Sequence, residues 1–323
     1  MNDSLRPLNL GAILDRAIQI FRQQPMLFFG LAAIPGIVQM STSLATQHIG
    51  PDRTVRAAAG LISIVFRIAY IVVRAMSTGA LCLAASAVNF GGTSTVGDAF
   101  NAFSTRKGRL VGLELQQGFF TFWPLIIVGF ISAMLALRSG TGPGAIPVQV
   151  CLWTLGAIPC LVLYPRYLLA FPATAIEGLP ASAAIDRSLA LSEGGRMRIL
   201  LGVLVPSVPM LVVVFGSSAL IVHFMASFAL LAGSPWTATV VESLVLLIAT
   251  LVFSPYSAIV LTLLYYDQRI RREGYDVERM MVAAGLDPNA ADIAAGLPQP
   301  AVPALAHGVL PALAESREGN QQA

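Results

Sequence analysis

The sequence predicts an all-α membrane protein with six transmembrane helices. Hydrophobic residues make up 56% of the chain and charged residues only 11%, whereas about a quarter of a soluble domain is charged. The apolar residues also form six long blocks instead of short periodic stripes, and about 20 apolar residues suffice to cross a bilayer as a helix. One membrane domain with short tails therefore accounts for the 323 residues.

The second apolar block, residues 61–88, is the most informative because it carries two arginines. Arg67 and Arg74 are seven residues apart, which places both on one helical face, ~10 Å apart along the axis. A charge at the centre of a membrane helix costs roughly 2.5–3.5 kcal/mol. We therefore expect this face to look into protein or water and not into lipid.

The other five spans follow from the same length and apolar content. We place them at residues 26–46, 110–137, 148–170, 200–231 and 237–266. Each of these five contains an internal proline, which is typical of kinked helices. Transporters with discontinuous helices also show this pattern. The prolines alone therefore do not distinguish a transporter from another membrane protein with kinked helices.

Three amphipathic segments alternate with pairs of spans. They cover residues 8–23, 95–109 and 179–198, and their one-sided apolar pattern predicts helices that lie in the membrane interface. Related strings begin at Gly11, Gly97 and Ala183, 86 residues apart each time. A threefold repeat of an interfacial helix and a helical hairpin explains this layout, and chance similarity among alanine-rich helices is the alternative.

The basic residues are distributed unevenly between the two sides of the predicted bundle. Thirteen lie on the side of the termini and the amphipathic segments, while the opposite loops hold only Arg53, Arg56 and Arg138. Since cytoplasmic loops are enriched in arginine and lysine, both termini and all three amphipathic segments should be cytoplasmic. The basic residues are also almost all arginine, which favours a GC-rich bacterial genome and hence the bacterial inner membrane.

The domain boundaries follow from the change in composition. Residues 1–7 form a short N-terminal tail, 8–273 the six-span membrane domain and 274–323 a cytoplasmic tail. The tail is rich in Ala, Pro and Gly, so we expect it to be largely disordered, after a short helix at 277–284.

Several function classes have no support in the sequence. The net charge is +3 and no dense basic run occurs, so no nucleic-acid partner is expected. The three cysteines and three histidines are scattered, which predicts neither a disulfide framework nor a metal site. No nucleotide-binding motif or HExxH motif is present, and no cofactor is expected. Ser217 and Ser218 share a span with His223, but the spacing does not bring the imidazole to either hydroxyl.

Charged residues inside the spans are the candidate site. Topology places Arg67 and Glu242 toward the outer side, and Glu114 and Arg166 toward the inner side, with Arg74 deeper in its helix. These residues either line a polar path or an anionic-headgroup site, or they form paired or snorkelling charges that fix the helix register. The sequence leaves both interpretations open.

Three strings together resemble a known family. They are LRPLNLGAILDRAIQIFRQ from Leu5, Glu177-Gly178 leading into AAIDRSLAL, and LLYYDQRIRREGYD at 263–276. The combination resembles the membrane domain that precedes the catalytic barrel in some bacterial glycerophosphoryl diester phosphodiesterases, and its stand-alone relatives. The resemblance covers residues 5–280 and implies no functional residue of the membrane domain.

The resemblance does not extend to the enzyme. The family's enzymes add a TIM barrel that holds the metal and the catalytic histidines, and such a barrel needs about 250 residues. Only 57 residues follow Tyr266, so no enzymatic activity is expected.

The leading prediction is a non-catalytic membrane module with a supporting, lipid-binding or partner-recruiting role at the cytoplasmic face. Its partners would be membrane lipids, anionic headgroups among them, and proteins at that face. The alternative is a small transporter or lipid-handling protein with a polar path lined by Arg67 and Arg74.

Overall fold

A computed structural model describes residues 9–47, 53–102, 107–139, 146–227 and 235–275. These residues form helices with no strand among them, which confirms the all-α class. Six segments are long and apolar enough to cross a membrane. The helices are α1 (Leu10–Gln23), α2 (Pro25–Gln47), α3 (Arg53–Asn89), α4 (Val96–Asn101), α5 (Lys107–Ser139), α6 (Ile146–Tyr167), α7 (Ala170–Glu177), α8 (Ala181–Ser192), α9 (Arg196–Ser227) and α10 (Pro235–Glu273).

Two of the long helices extend beyond their predicted bounds. α3 begins at Arg53, before the predicted start of its span at residue 61, and α10 continues past Tyr266 through the charged string to Glu273. Two i,i+4 ion pairs, Asp267–Arg271 and Arg269–Glu273, support this last part of α10. Pairs at this spacing stabilise a helix, so the loss of apolar character does not end the helix.

The bounds of the second amphipathic segment were predicted wrongly, and the fourth span has an unpredicted continuation. The amphipathic helix predicted at 95–109 is only Val96–Asn101, and Lys107 already belongs to α5; residues 103–106 lie outside the described part. The fourth span breaks into α6 and α7. Pro172 lies in the first turn of α7, where its missing N–H removes a bond that a continuous helix would need.

The helices pack most densely at one end of the bundle, which we call the base. α1, α4 and α8 lie there, against the C-terminal halves of α3 and α10 and the starts of α5 and α9. Fully buried side chains at the base include Ile13, Ile20, Leu81, Leu113, Leu169, Leu191, Ile199, Ile259 and Tyr265. The opposite end, where α2, α5 and α9 finish, is the far end.

Along much of their length, α5, α6 and α9 expose large apolar side chains. Phe119, Phe130, Val162, Val212 and Phe215 are each at least half exposed. A soluble monomer rarely exposes a continuous apolar surface of this kind. These helix faces are therefore suited to lipid, in agreement with a multi-pass membrane protein.

The long helices associate as α2–α3, α5–α6 and α9–α10 hairpins, and α10 also packs on α2 and α3. One short helix, α1, α4 or α8, precedes each hairpin. The sequence repeat itself and the interfacial position of the short helices stay predictions. The predictions for residues 276–323 lie outside the described residues.

The sidedness of the bundle is open to a direct test. A reporter that is active only outside the cytoplasm should be active when fused after Gly140 or Ser234, because the basic residues are concentrated at the base. Fused after Gly91 or Gly178, at the base, it should be silent. The reverse pattern at two of these four positions would contradict a cytoplasmic base.

Candidate functional site

Five side chains of α7, α8 and α10 form an ionic network at the base. Arg187 Nη2 lies 3.1 Å from Glu177 Oε1 and donates to Glu273 Oε2 at 2.7 Å. Arg269 contacts the same two carboxylates, at 3.6 and 3.2 Å, and the Tyr265 hydroxyl donates to Glu177. We call Glu177, Arg187, Tyr265, Arg269 and Glu273 the base network.

The base network stabilises the charged form of Arg187. Burial acts to lower the pKa of Arg187, but the hydrogen bonds and charges of Glu273 and Glu177 outweigh it, so the pKa lies above its ordinary value. The guanidinium of Arg269 also lies 4.1 Å from the centroid of the Tyr275 ring, a cation–π contact. A fully paired network of this kind fixes helices relative to one another.

A second set of polar contacts ties α10 to its other neighbours. The Asp267 carboxylate, 2% exposed, forms an ion pair with Arg198 Nε at 3.0 Å and accepts a hydrogen bond from Arg271 Nε at 3.0 Å. The hydroxyls of Ser86 and Tyr266 hydrogen-bond at 2.6 Å, which joins α3 to α10. The described residues 9–23, 177–191 and 263–275 thus come together at the base, where their buried apolar side chains pack in one cluster.

The base residues were missed as candidates in the sequence. They were treated as parts of a family signature and not as contacts. The i,i+4 spacing in the string 263–276 was the one local signal, because it predicts that charged residues can remain helical. The contacts with Glu177 and Arg187 depend on tertiary structure.

Arg74 and Glu114, both predicted as site residues, form an ion pair between α3 and α5. Their environments differ, since the Glu114 side chain is 9% exposed and the Arg74 side chain 48%. Tyr164 of α6 lies within electrostatic range of Arg74. The pair therefore presents a cation on a membrane helix face and keeps its carboxylate inside.

Polar atoms near this pair lack hydrogen-bond partners within the described part of the chain. Glu114 Oε2, Gln117 Oε1 and Thr121 Oγ1 on α5 are buried and unpaired, and so is Ser77 Oγ on α3. The three α5 residues follow i, i+3 and i+7 spacing, which places them on one helical face. We call Arg74, Ser77, Glu114, Gln117 and Thr121 the Arg74 cluster.

The Arg74 cluster has hydrogen-bonding capacity that the protein does not use. A buried polar atom without a partner costs ~1–3 kcal/mol, and most buried polar atoms in folded proteins have a protein or water partner. Glu114 Oε2 and Gln117 Oε1 can only accept, whereas the two hydroxyls can also donate. The cluster is therefore suited to a group that brings several hydrogen-bond donors.

Arg67 lines a separate pocket of about 120 Å³ between α2 and α3. We call it the Arg67 pocket, and its lining residues are Gln39, Thr42, Ser43, Ser63, Arg67 and Tyr70. All six are polar. Arg67 is the only charged group in the lining, so the pocket has a positive charge.

The pocket and the cluster share one face of α3. Ser63, Arg67, Tyr70, Arg74 and Ser77 are spaced by four, three, four and three residues, which gives a continuous stripe along a helix. From Ser63 to Ser77 this α3 stripe covers 15 residues, and its two ends are ~21 Å apart along the helix axis. The two arginines were predicted to share a face; the three other members carry the same spacing and were not recognised.

The other two predicted residues lie elsewhere. Glu242 of α10 accepts from the Ser218 hydroxyl of α9 at 2.8 Å. Arg166 is half-buried near the end of α6, and its Nε has no hydrogen-bond partner in the described residues. Within the described residues, neither side chain forms a hydrogen bond or ion pair with the α3 stripe. The candidate site therefore consists of Arg67, Arg74 and Glu114 with their neighbours.

In the part of the chain that the structure describes, no three His, Cys, Asp or Glu side chains come close enough together to hold a metal ion. The geometry of the α3 stripe offers binding chemistry through one guanidinium, one ion pair and neutral polar groups. Comparison of the chain with protein-family models, with curated proteins and with solved structures finds no match.

Proposed function

We propose that this protein is a non-catalytic membrane module that binds a phospholipid headgroup at the Arg74 cluster. One observation supports the proposal above all others: the half-exposed guanidinium of Arg74 pairs with Glu114, and buried polar atoms without partners follow along the helices on either side of this pair. The ligand would be a headgroup that carries both a phosphate and hydrogen-bond donors, such as phosphoethanolamine.

The phosphate would bind Arg74. A planar guanidinium matches two phosphate oxygens at once, and Glu114 occupies only part of its donor capacity, since 48% of the Arg74 side chain is exposed. In a bilayer that exposed part meets either lipid tails or a polar headgroup. An anion beside it removes the cost of leaving a charge in hydrocarbon.

The donors of the headgroup would bind the α5 side of the cluster. Glu114 Oε2 and Gln117 Oε1 are unpaired acceptors, and an ammonium or hydroxyl group supplies the protons that they need. Glu114 is seven residues from the start of α5, or ~10 Å along the axis. That depth is compatible with a headgroup drawn slightly inward from the leaflet at the base.

The proposal includes the membrane in which the protein lies and its orientation there. We propose a bacterial inner-membrane location with both termini in the cytoplasm, based on the arginine-rich composition and the charge asymmetry. A base that faces the cytoplasm could also recruit protein partners. The resemblance to the membrane domain of glycerophosphoryl diester phosphodiesterases agrees with a lipid-related role.

The α3 stripe favours a second candidate function, a small transporter or lipid-handling protein. The stripe continues from the Arg74 cluster to the Arg67 pocket, so polar groups follow ~21 Å of helix. A polar path of this length could guide a headgroup between leaflets. Headgroup-dependent flux in proteoliposomes would support this candidate, and binding without flux would favour the simple module.

The test is the lipid that co-purifies with variants of Arg74. Arg74→Met should fold and lose most of the bound phosphatidylethanolamine measured by mass spectrometry, because the phosphate loses its cation. Arg74→Lys should retain part of it, since the charge remains but the planar fork does not.

Arg138→Met is the matched control, because Arg138 is an exposed arginine at the other end of α5. It should keep the lipid content of the unmodified protein. If Arg74→Met also keeps that content and the melting temperature is unchanged, Arg74 has no role in lipid binding.

A further inference from the structure

We infer that the Arg67 pocket is a second binding site, specific for a phosphate group and separate from the Arg74 cluster. This inference rests on the geometry of the Arg67 pocket and does not depend on the proposed function. Nothing in the Arg74 cluster lines this pocket, although the two lie on the same stripe of α3.

The charge of the pocket selects an anion. Arg67 forms no ion pair within the described residues, and no carboxylate lines the pocket. Arg74, in contrast, is neutralised in part by Glu114. An exposed and unneutralised guanidinium in a membrane-spanning helix is unfavourable unless an anion or water meets it, so a site of net positive charge is expected to recruit an anionic group.

The donors of the pocket select oxygen atoms. Gln39 and Tyr70 make no side-chain hydrogen bond within the described residues, and with Arg67 they supply an amide, a hydroxyl and a guanidinium from two helices. Thr42 and Ser43 donate to the carbonyls of Val38 and Gln39 at 2.8 and 3.1 Å, so these two contribute to the shape of the pocket.

The size of the pocket fits a phosphate group. Its volume of about 120 Å³ is far above the ~10–15 Å³ that one water molecule requires. A group of several oxygen atoms therefore fits, and a bidentate guanidinium is well suited to phosphate. A hydrophobic ligand would leave the guanidinium, amide and phenol without partners.

The position of the pocket indicates that the phosphate belongs to a lipid. Thr42 and Ser43 lie in the last two turns of α2, which ends at Gln47 near the far end, so the pocket is near the headgroup region of that leaflet. Ile37, Ile64 and Ile68 on the adjoining helix faces are 56–57% exposed. Acyl chains can lie along these apolar side chains while the phosphate enters the pocket.

The test measures binding of two probes to the full-length protein. Short-chain phosphatidylglycerol is the lipid probe and inorganic phosphate is the soluble one, each titrated against detergent-purified protein by calorimetry. Arg67→Met should weaken binding of the lipid probe at least about tenfold, Arg67→Lys less, and Tyr70→Phe by a few fold. Arg138→Met, at an exposed arginine outside both sites, is the control and should leave binding of the lipid probe unchanged, and Arg74→Met is measured beside it.

The outcomes distinguish a lipid phosphate from free phosphate, and binding at the Arg67 pocket from binding at the Arg74 cluster. Binding of the lipid probe that is lost in Arg67→Met assigns the site to a lipid phosphate, and binding of inorganic phosphate at Arg67 without binding of the lipid probe assigns it to free phosphate. Binding that is unchanged in both Arg67→Met and Tyr70→Phe overturns the site. Tyr70→Phe keeps the test valid if Arg67→Met fails to fold, and loss of binding only in Arg74→Met would locate all headgroup binding at the Arg74 cluster.

Discussion

Replacing Glu177 by glutamine is expected to lower the stability of the protein by ~2 kcal/mol, or ~5 °C in melting temperature. Glu177 accepts from Tyr265 and pairs with Arg187 and Arg269. Its side chain is only 20% exposed. The substitution removes one charge and leaves two guanidinium groups with Glu273 as their remaining carboxylate in the base network.

The measurement is a thermal unfolding curve of the purified protein in detergent. Glu193→Gln is the matched control, because Glu193 is an exposed glutamate that follows α8 and forms no ion pair within the described residues. It should unfold with the unmodified protein. Equal melting temperatures for the two variants would mean that the base network contributes nothing to the packing of α7, α8 and α10.

The fold class could be predicted because membrane-spanning helices have a strict length requirement. Only a run of about 20 apolar residues satisfies it, and the six runs all became helices long enough to cross. The ends were less predictable. α10 continues to Glu273 because Asp267–Arg271 and Arg269–Glu273 support charged residues in a helix, and a hydropathy pattern contains no such information.

The candidate site was predictable in part. Periodicity placed Arg67 and Arg74 on one face of α3, and the cost of a buried charge singled out Glu114. The pairing of Arg74 with Glu114 could not be predicted, because it depends on how α3 packs against α5. Gln117 and Thr121 were overlooked because neutral polar residues give a weak signal until their buried atoms are found without partners.

Exchanging the charges of Arg74 and Glu114 should separate the structural from the binding role of this pair. Arg74→Glu alone places two carboxylates in contact, and like charges at such a distance in a membrane are strongly unfavourable. We expect the yield of folded protein to fall several-fold. Glu114→Arg alone should be equally harmful, because two guanidinium groups then meet where the side chain is 9% exposed.

The double variant Arg74→Glu/Glu114→Arg should restore much of the folded yield and should not restore the bound lipid. The ion pair is formed again, but the exposed position now carries the carboxylate, which repels a phosphate, and the arginine is buried. Yield by size-exclusion chromatography and lipid content by mass spectrometry are measured on the same samples. Recovery of both would show that the pair contributes only to packing, because the binding role requires the cation on the exposed face of α3.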